Sequence, residues 1–456
     1  MMKAPERSPV PGEPLTDQAV AETRKDKLLE AIHSRRATVG VIGLGYVGMP
    51  LAAGALRAGF DVLGFDYDGA KVDAVNRDEA EGSTSADVDG AAASPRRRLE
   101  ATTNMARTHE ADAAIICVPT PLNKHGTPVL DHVLAAIDAI ATSLRPGQLV
   151  VLESTTYPGT TEEVLLPRLA QSGLRVGTDY FLAFAPERVD PGNEDFPLTR
   201  IPRVVGGVTP DCTDVACALY SQLVPEVVPV SSARAAEMTK LLENSFRTVN
   251  IALVNELTRI CSRWDVNIWE VIEAAKTKPF GFMPFYPGPG VGGHCIPIDP
   301  VYLSWRARES AMESRLIDLA TLINAQMPAY VVRRVADALN ERRKSLKGSG
   351  ILVLGIAYKP NVSDTRESPA LDIITELQER GAVVEFSDPH VATVSVNGTA
   401  LASIDLAKAT LADADCVLIV TDHEGFDWEL VAREASLVVD CRNALPTGAN
   451  AHVVKL

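Results

Sequence analysis

Residues 37–59 read ATVGVIGLGYVGMPLAAGALRAG, and this stretch constrains the fold more than any other. Thr38 to Ile42 is a short apolar, β-branched run, the pattern of a buried strand. A glycine turn follows, then a helical pattern that stops at Gly59. Gly43, Gly45 and Gly48 stand in GxGxxG spacing. The first permits a tight turn, the second lets a pyrophosphate approach the backbone, and the third allows close helix–strand packing. The helix N-terminus then presents free N–H groups and a positive dipole end to phosphates. The next strand, in FDVLGFDYD, ends near Asp66, 18 residues past Gly48 (66 − 48). That is the place of an acid that binds ribose hydroxyls. Asp66 would repel a 2′-phosphate, so NAD is expected rather than NADP, with Lys71 close by. The plain alternative is a tight turn without a ligand.

The same alternation continues. ADAAIICVPTP, QLVVLEST, DYFLAFAP and RVVGGV read as further strands separated by helical or loop segments. Strands alternating with helices predict a parallel, doubly wound α/β sheet. From Ser231 the pattern changes to some thirty residues of helical spacing without Gly or Pro, SSARAAEMTKLLENSFRTVNIALVNELTRICSRW. That is long for a globular helix and reads as a spine. After Lys347 a second α/β pattern begins with ILVLGIAYK, and it shows no close sequence repeat of the first. The expected domains are a flexible tail over 1–36, a Rossmann-like NAD domain over 37–230, a central helical domain over 231–330 and a second Rossmann-like domain over 331–456.

Composition excludes several classes. A net charge of −15 argues against a nucleic-acid surface, which needs clustered Lys and Arg to neutralise phosphate. No apolar run approaches the roughly 20 residues of a membrane span. The Pro-, Glu- and Ser-rich start lacks the apolar core of a secretory signal. The seven cysteines are scattered without a CxxC pair, so no metal site is expected and reduced thiols in the cytoplasm are the simplest reading.

Residues 287–300, PGPGVGGHCIPIDP, place one thiol, Cys295, in a Gly- and Pro-rich loop with Asp299 four positions on. A free Cys is often a buried small residue. Here Gly292, Gly293 and His294 could leave it accessible and beside a partner that lowers its pKa. Asp299 could act as a general base if the loop turns back on itself. Lys240, Asn244 and Arg247, at i, i+4 and i+7, fall on one helix face. That pattern fits a solvated face or a site where polar groups converge. Glu187 and Arg188 follow an apolar strand in FAPERVDPGN, and Lys359 and Arg366 flank Asp364 in GIAYKPNVSDTRES. Glu187 and Arg188 read as a strand-end salt bridge or as part of a site, and Lys359 and Arg366 as a surface turn with a local ion pair to Asp364 or as groups placed for phosphate.

Together GLGYVG, APERVDPG, the Lys240/Asn244 helix, GVGGHCIPIDP and AYKPNVSDTRES resemble the nucleotide-sugar 6-dehydrogenases that oxidise UDP-glucose, UDP-N-acetylhexosamines or GDP-mannose. The resemblance covers roughly residues 37 to 445. It implies an NAD domain, a central helical domain that usually dimerises, and a C-terminal domain that holds the nucleotide sugar, hence a homodimer. It also implies a four-electron oxidation with two NAD⁺, through a cysteine thiohemiacetal and thioester. Cys295 would then be the nucleophile, and Lys240 and Asn244 would stabilise oxyanion character at C6. Asp299 would be the base, and Glu187 and Thr155 would position substrate and water. Tyr46, Val47, Pro119, Thr120, Thr155 and Arg366 would lie at the cofactor. Arg188, Arg247, Gly292 and Lys359 would meet the substrate, with Tyr286, Arg203 and Arg442 as further contacts. The glycines beside Cys295 would let the sugar approach the backbone. GGHCIPIDP, with Ile298 where UDP-glucose enzymes usually carry Lys, and KPFGFMPFYPGPG upstream resemble the branch acting on UDP-N-acetylglucosamine. UDP-N-acetylmannosamine, UDP-glucose, GDP-mannose and a non-catalytic nucleotide-sugar-binding protein are the alternatives.

Overall fold

The computed structural model describes residues 17–77, 98–188, 200–446 and 449–456, with side chains from Arg24 onward. The chain divides between Lys240 and Leu241 into two compact units.

The first unit is built on strands β1 (Thr38–Ile42), β2 (Asp61–Phe65), β3 (Leu99–Thr102), β4 (Ala113–Ile116), β5 (Leu149–Leu152), β6 (Phe181–Phe184), β7 (Arg203–Gly207) and β8 (Val227–Pro229). They form one sheet in the order β3-β2-β1-β4-β5-β6-β7-β8. The chain reverses its winding between β1 and β4, which opens a crevice at the carboxyl ends of those strands. Strands β4, β5 and β6 are buried along their whole length, as expected where helices cover both faces. The expectation of an all-parallel sheet is corrected at one place: β6 and β7 run antiparallel, and β8 follows β7.

Helices α1 (Asp17–His33), α2 (Gly48–Arg57), α3 (Gly69–Asn76), α4 (Asp131–Ser143), α5 (Leu166–Leu169) and α6 (Pro210–Tyr220) accompany this sheet. The flexible tail expected over 1–36 is corrected in its second half, while residues 1–16 lie outside the described residues. Helix α1 docks on α6, with Leu28 and Ile32 in the core. Lys25 bonds Asp211 and Asp214 at 2.6 Å each, and Arg24 pairs with Asp179. Leu28 and Ile32, at i and i+4, give the helix an apolar edge that a count of Pro, Glu and Ser does not register.

Helix α7 (Ala233–Arg263) is the long spine. Ala233 and Ala236 belong to the first unit's core, so the division falls inside the helix rather than at the 230/231 boundary read from the sequence. The second unit continues with α8 (Ile268–Lys276), α9 (Asp299–Glu309), α10 (Arg315–Ala325) and α11 (Met327–Glu341). Its sheet contains β9 (Gly350–Leu354), β10 (Val383–Ser387), β13 (Cys416–Ile419), β14 (Leu437–Asp440) and β15 (His452–Lys455), all parallel, in the order β10-β9-β13-β14-β15. A hairpin, β11 (Thr393–Val396) and β12 (Thr399–Ala402), follows β10, and α12 (Pro369–Glu379) covers the sheet. Two doubly wound α/β sheets and a helical middle are the architecture expected. No helix among the described residues is long and apolar enough to cross a membrane.

Candidate active site

The GLGYVG turn is shaped by contacts that leave no room for side chains at two glycines. Gly43 has φ +96°, and a Cβ there would lie 2.6 Å from the Cys117 carbonyl oxygen. A Cβ on Gly48 would fall 1.8 Å from the Gly43 oxygen. At Gly45 a Cβ would meet nothing within 4 Å. The turn is thus closed on its protein side and open above Gly45, the cradle a pyrophosphate needs. Val47 caps α2 with no side-chain bond, so the first N–H groups of α2 are not claimed by a side-chain cap. Tyr46 is exposed. Asp66 Oδ2 accepts from Leu44 N at 2.9 Å and lies 3.9 Å from Lys71 Nζ. The acid therefore stands at the rim of the glycine turn, where ribose hydroxyls would come. After β4, Pro119 is exposed and Thr120 buried. These residues fit NAD.

The segments that follow β5 and β6 meet the start of β7 in a buried polar cluster. Arg203 is 3% exposed. Its guanidinium pairs with Glu153, reaches Glu187 Oε2 at 2.9 Å and the Pro186 carbonyl at 2.9 Å, and lies 5.3 Å from the Tyr220 ring centre. Burial pushes Glu153 up to about 7, against the pull of Arg203 and with Glu187 adding to the rise. Arg203 was expected to touch substrate; it instead fixes the loop that carries Glu187. Glu187 also receives Arg188 N on its own carboxylate at 2.6 Å, and its carbonyl accepts from Lys240 Nζ at 2.6 Å. Arg188 reaches the Pro202 carbonyl at 2.7 Å. Residues 189–192 of the APERVDPG motif lie outside the described residues. Thr155 is half-buried. Its neighbour Thr156, which no sequence motif singles out, is fully buried, and its hydroxyl has no hydrogen-bond partner among the described residues. One turn before Lys240, Glu237 accepts from Gly159 N, Thr161 N and Thr161 Oγ1, the last two at 2.8 and 2.7 Å.

In the second unit the thiol loop turns straight into α9. Cys295 is half-buried, and its carbonyl accepts from Asp299 N at 2.9 Å. Asp299 is the first residue of α9 and only 1% exposed, where the positive end of the helix favours a carboxylate. Asn244 Nδ2 donates to Asp299 Oδ2 at 2.5 Å. Four thiols, Cys117, Cys212, Cys416 and Cys441, are buried. Burial pushes Cys416 up to about 12 and Cys217 up to about 11, so those thiols stay protonated and poorly nucleophilic. The polar face expected for α7 is corrected at Arg247, which is exposed while Lys240 and Asn244 are buried. Thr248, buried, continues the face instead.

The glycines next to Cys295 serve packing. A Cβ on Gly292 would lie 2.6 Å from the Glu367 carbonyl, and one on Gly293 2.8 Å from the Tyr358 ring. Gly293 N donates to the Arg366 carbonyl at 3.0 Å. Backbone opened to a sugar is therefore not what the missing side chain at Gly292 provides; it lets the loop lie flat on 358–369. The Arg366 guanidinium pairs with Asp364 at 2.6 Å, and Lys359 lies 6.0 Å from the Tyr358 ring centre. Arg442 bonds the Val420 carbonyl at 2.8 Å, and its Nη1 stands 2.7 Å from where a Gly288 Cβ would be. Tyr286 stacks on Trp269 at 5.9 Å and donates to Glu273 at 2.6 Å, so it is taken up by α8. Among the described residues no cluster of His, Cys, Asp or Glu could hold a metal ion.

Comparison with known proteins matches this layout. Residues 37–224 match the NAD binding domain of the UDP-glucose/GDP-mannose dehydrogenase family, residues 234–326 its central domain and residues 352–447 its UDP binding domain. A UDP-N-acetyl-D-glucosamine 6-dehydrogenase of Pseudomonas aeruginosa is 36% identical over 364 residues, 77% of this chain and 83% of the relative. An NDP-N-acetyl-D-galactosaminuronic acid dehydrogenase of Ralstonia nicotianae is 39% identical over 420 residues, 89% of this chain and 95% of the relative. The solved structure of a UDP-D-ManNAc dehydrogenase from Pyrococcus horikoshii superposes with a TM-score of 0.79 at 33% identity, covering 91% of this chain and 99% of that one. The chain therefore belongs to the UDP-glucose/GDP-mannose dehydrogenase family, and it is an NAD-dependent nucleotide-sugar dehydrogenase.

Proposed function

We propose that the enzyme oxidises UDP-N-acetylglucosamine at C6 to the uronic acid, with two NADH formed per sugar. The observation that carries the chemistry is the half-buried Cys295 at the entry of α9, with Asp299 at the first helical position under the Asn244 amide. NAD⁺ held at the glycine turn supplies the hydride acceptor. Asp299 takes the proton of the C6 alcohol as a hydride leaves carbon, giving the aldehyde. The Cys295 thiolate adds to that aldehyde and forms a thiohemiacetal. Asp299 passes its proton to solvent, a second hydride leaves to a second NAD⁺ and gives a thioester, and water, activated by the ionised Asp299, releases the carboxylate and restores the thiolate. Lys240 and Asn244 donate to the oxygen on C6 wherever negative charge develops there. Glu187 and Thr155 position sugar and water, and Lys359 and Arg442 meet the diphosphate side.

The choice of an N-acetylhexosamine rests on GGHCIPIDP and on relatives whose names carry N-acetylated sugars. A pocket built for an acetamido group must supply its hydrogen-bond partners, and leaving them empty costs about 1–3 kcal/mol. UDP-glucose should accordingly react more slowly, by roughly 5–150-fold, since each 1.36 kcal/mol is about tenfold in rate. The manno epimer is the second reading, favoured by the likeness to the Pyrococcus enzyme.

A homodimer fits the exposed apolar side of α7, where Leu242, Phe246, Leu253 and Leu257 are exposed. The seven free cysteines suit a reducing compartment such as the cytoplasm. The deciding experiment is a panel of nucleotide sugars with NAD⁺, counting NADH per sugar. UDP-N-acetylglucosamine should give the highest kcat/KM and two NADH. UDP-glucose as best substrate would overturn the substrate reading, and UDP-N-acetylmannosamine only the epimer. Cys295→Ala should bind sugar and NAD⁺ without completing the reaction; full turnover there rules out the covalent route.

A further inference from the structure

The loop that carries Cys295 is fastened to α7 at both ends, and the fastening at its entry is a chain of two fully buried side-chain amides. Gly288 N donates to Asn255 Oδ1 at 3.0 Å. Asn255 Nδ2 donates to Asn324 Oδ1 at 2.9 Å, and Asn324 Nδ2 donates to the Thr248 carbonyl at 3.1 Å. Asn255 and Asn324 are 0% and 1% exposed. At the exit of the loop, Thr248 Oγ1 lies 3.3 Å from the Ile296 carbonyl, and Asn244 holds Asp299.

We propose that Asn255, acting through Asn324, is a positioning residue that sets where the Cys295 thiol stands, by tying the entry of its loop to the stretch of α7 that holds the loop's exit. This rests on the reading of Cys295 as the nucleophile.

The directions of the bonds leave no freedom. A backbone N–H at Gly288 can only donate, so Asn255 must turn its oxygen to it and its NH₂ to Asn324. Asn324 must then offer its oxygen to Asn255 and its NH₂ to the Thr248 carbonyl, which can only accept. A buried polar chain satisfied at each link fixes one geometry, whereas apolar contacts in the same place would tolerate sliding. Between the two fastenings, a Cβ on Gly290 would lie 3.0 Å from Pro369 Cβ and one on Gly292 2.6 Å from the Glu367 carbonyl, so the loop lies close against 367–369, and the entry bond decides how it lies. The first oxidation does not need the thiol, but capture of the aldehyde does. Loosening the entry should therefore let aldehyde escape before it slows its formation.

The test uses the full-length enzyme, Asn255→Ala, and Asn324→Ala as a second variant that cuts the same chain of bonds from its far side. Two readouts are taken on protein with a wild-type unfolding transition. The first is iodoacetamide alkylation of Cys295 relative to the half-buried Cys261 of the same chain, mapped by peptide mass spectrometry. The second is NADH per sugar, with hydroxylamine present to trap aldehyde. The expected results are a change of at least about fivefold in the Cys295:Cys261 ratio, since small misplacements carry large rate effects, and a fall from two NADH per sugar towards one with trapped aldehyde. An unchanged alkylation ratio in both variants overturns the proposal. So does a changed ratio with two NADH per sugar and no trapped aldehyde. If the wild-type enzyme itself forms one NADH per sugar, or Cys295→Ala completes the reaction, the covalent reading fails separately, and the alkylation ratio alone decides for or against the positioning role.

Discussion

Asp66 and Asp388 occupy matching places in the two sheets. Asp66 follows β2 and accepts from Leu44 N at 2.9 Å; Asp388 follows β10 and accepts from Ile356 N at 2.7 Å. Each takes the N–H two residues on with its other oxygen, from Asp68 at 2.9 Å and from His390 at 2.8 Å. The glycines opening the two turns, Gly43 and Gly355, have φ +96° and +84° and donate to the neighbouring strand at 2.8 and 3.0 Å. The duplication lies in the backbone and leaves no repeat in the sequence. The two acids differ in surroundings: Asp388 also meets His423 Nε2 at 3.1 Å inside the protein, whereas Asp66 stands at the open rim with Lys71.

For Asp66 the consequence is cofactor choice. Asp66→Ala should raise the KM for NAD⁺ and narrow the preference over NADP⁺, since the repulsion of a 2′-phosphate goes with the carboxylate. Steady-state kcat/KM with both cofactors checks this; a wild-type enzyme that uses NADP⁺ as well as NAD⁺ contradicts it.

For Asp388 the consequence is acid sensitivity. Burial would raise its pKa, but the His423 ring and the N–H groups of Ile356 and His390 outweigh that and hold it at about 2. Its native value lies below the unfolded 3.8, so its contribution is present above pH 3.8 and lost as pH falls towards 2. It amounts to about 2 kcal/mol, of which roughly half is gone by pH 3. Urea unfolding at pH 6 and pH 3 should show the stability gap between wild type and Asp388→Asn shrinking at the lower pH.

Glu237 has the opposite sign. Burial outweighs the bonds from Thr161 and Gly159 and pushes it up to about 7. The native state keeps its proton where the unfolded chain has lost it, so stability falls as pH rises from 4.5 to about 7. The effect is at most about 3 kcal/mol. Glu237→Gln removes this slope, and the stability difference between the two proteins should move steadily between pH 5 and pH 8. A flat difference would show that the carboxyl is already ionised at pH 5.

What the sequence revealed and what it hid follow from the range of the interactions. Gly43, Gly45, Gly48 and Asp66 were legible because strand, turn, helix and next strand occupy one short stretch with fixed spacing. The Cys295 loop was legible from its own composition. Asn255 was not, because a lone Asn on a long helix looks solvated until its partner, Asn324, 69 residues on, is known. The role of Arg203 is hidden for the same reason: its partners Glu153 and Glu187 lie beyond the ends of other strands. Thr156 differs from Thr155 only in which way the chain turns after β5. Helix α1 was missed because two apolar residues in a charged segment suffice once α6 offers a surface.

Gly292→Ala tests the packing account of the thiol loop. The added methyl would meet the Glu367 carbonyl at 2.6 Å and Tyr358 Cβ at 2.8 Å. Overpacking of this kind costs about 1–3 kcal/mol, so thermal unfolding should move down and kcat should fall with the loop displaced. Unchanged stability would mean the loop yields freely at that point.

The outward side of α7 predicts assembly. Leu253 and Leu257 are 51% and 38% exposed, and an apolar face of that kind marks an interface. Light scattering should give a dimer for wild type and a monomer for the Leu253→Arg, Leu257→Arg double variant with its circular dichroism unchanged. A monomeric wild type contradicts the dimer.

Because Asn244 and Asn255 hold opposite ends of one loop, the helix and the loop act as a matched pair of lengths. The eleven steps from Asn244 to Asn255 (255 − 244) make roughly three full turns and about 16 Å of rise, so both amides point the same way. One residue inserted between them would swing Asn255 by about 100° around the axis, and one residue inserted in the loop would leave slack at Cys295. Descendants of this chain can thus gain or lose residues in this stretch only in steps that change helix and loop together.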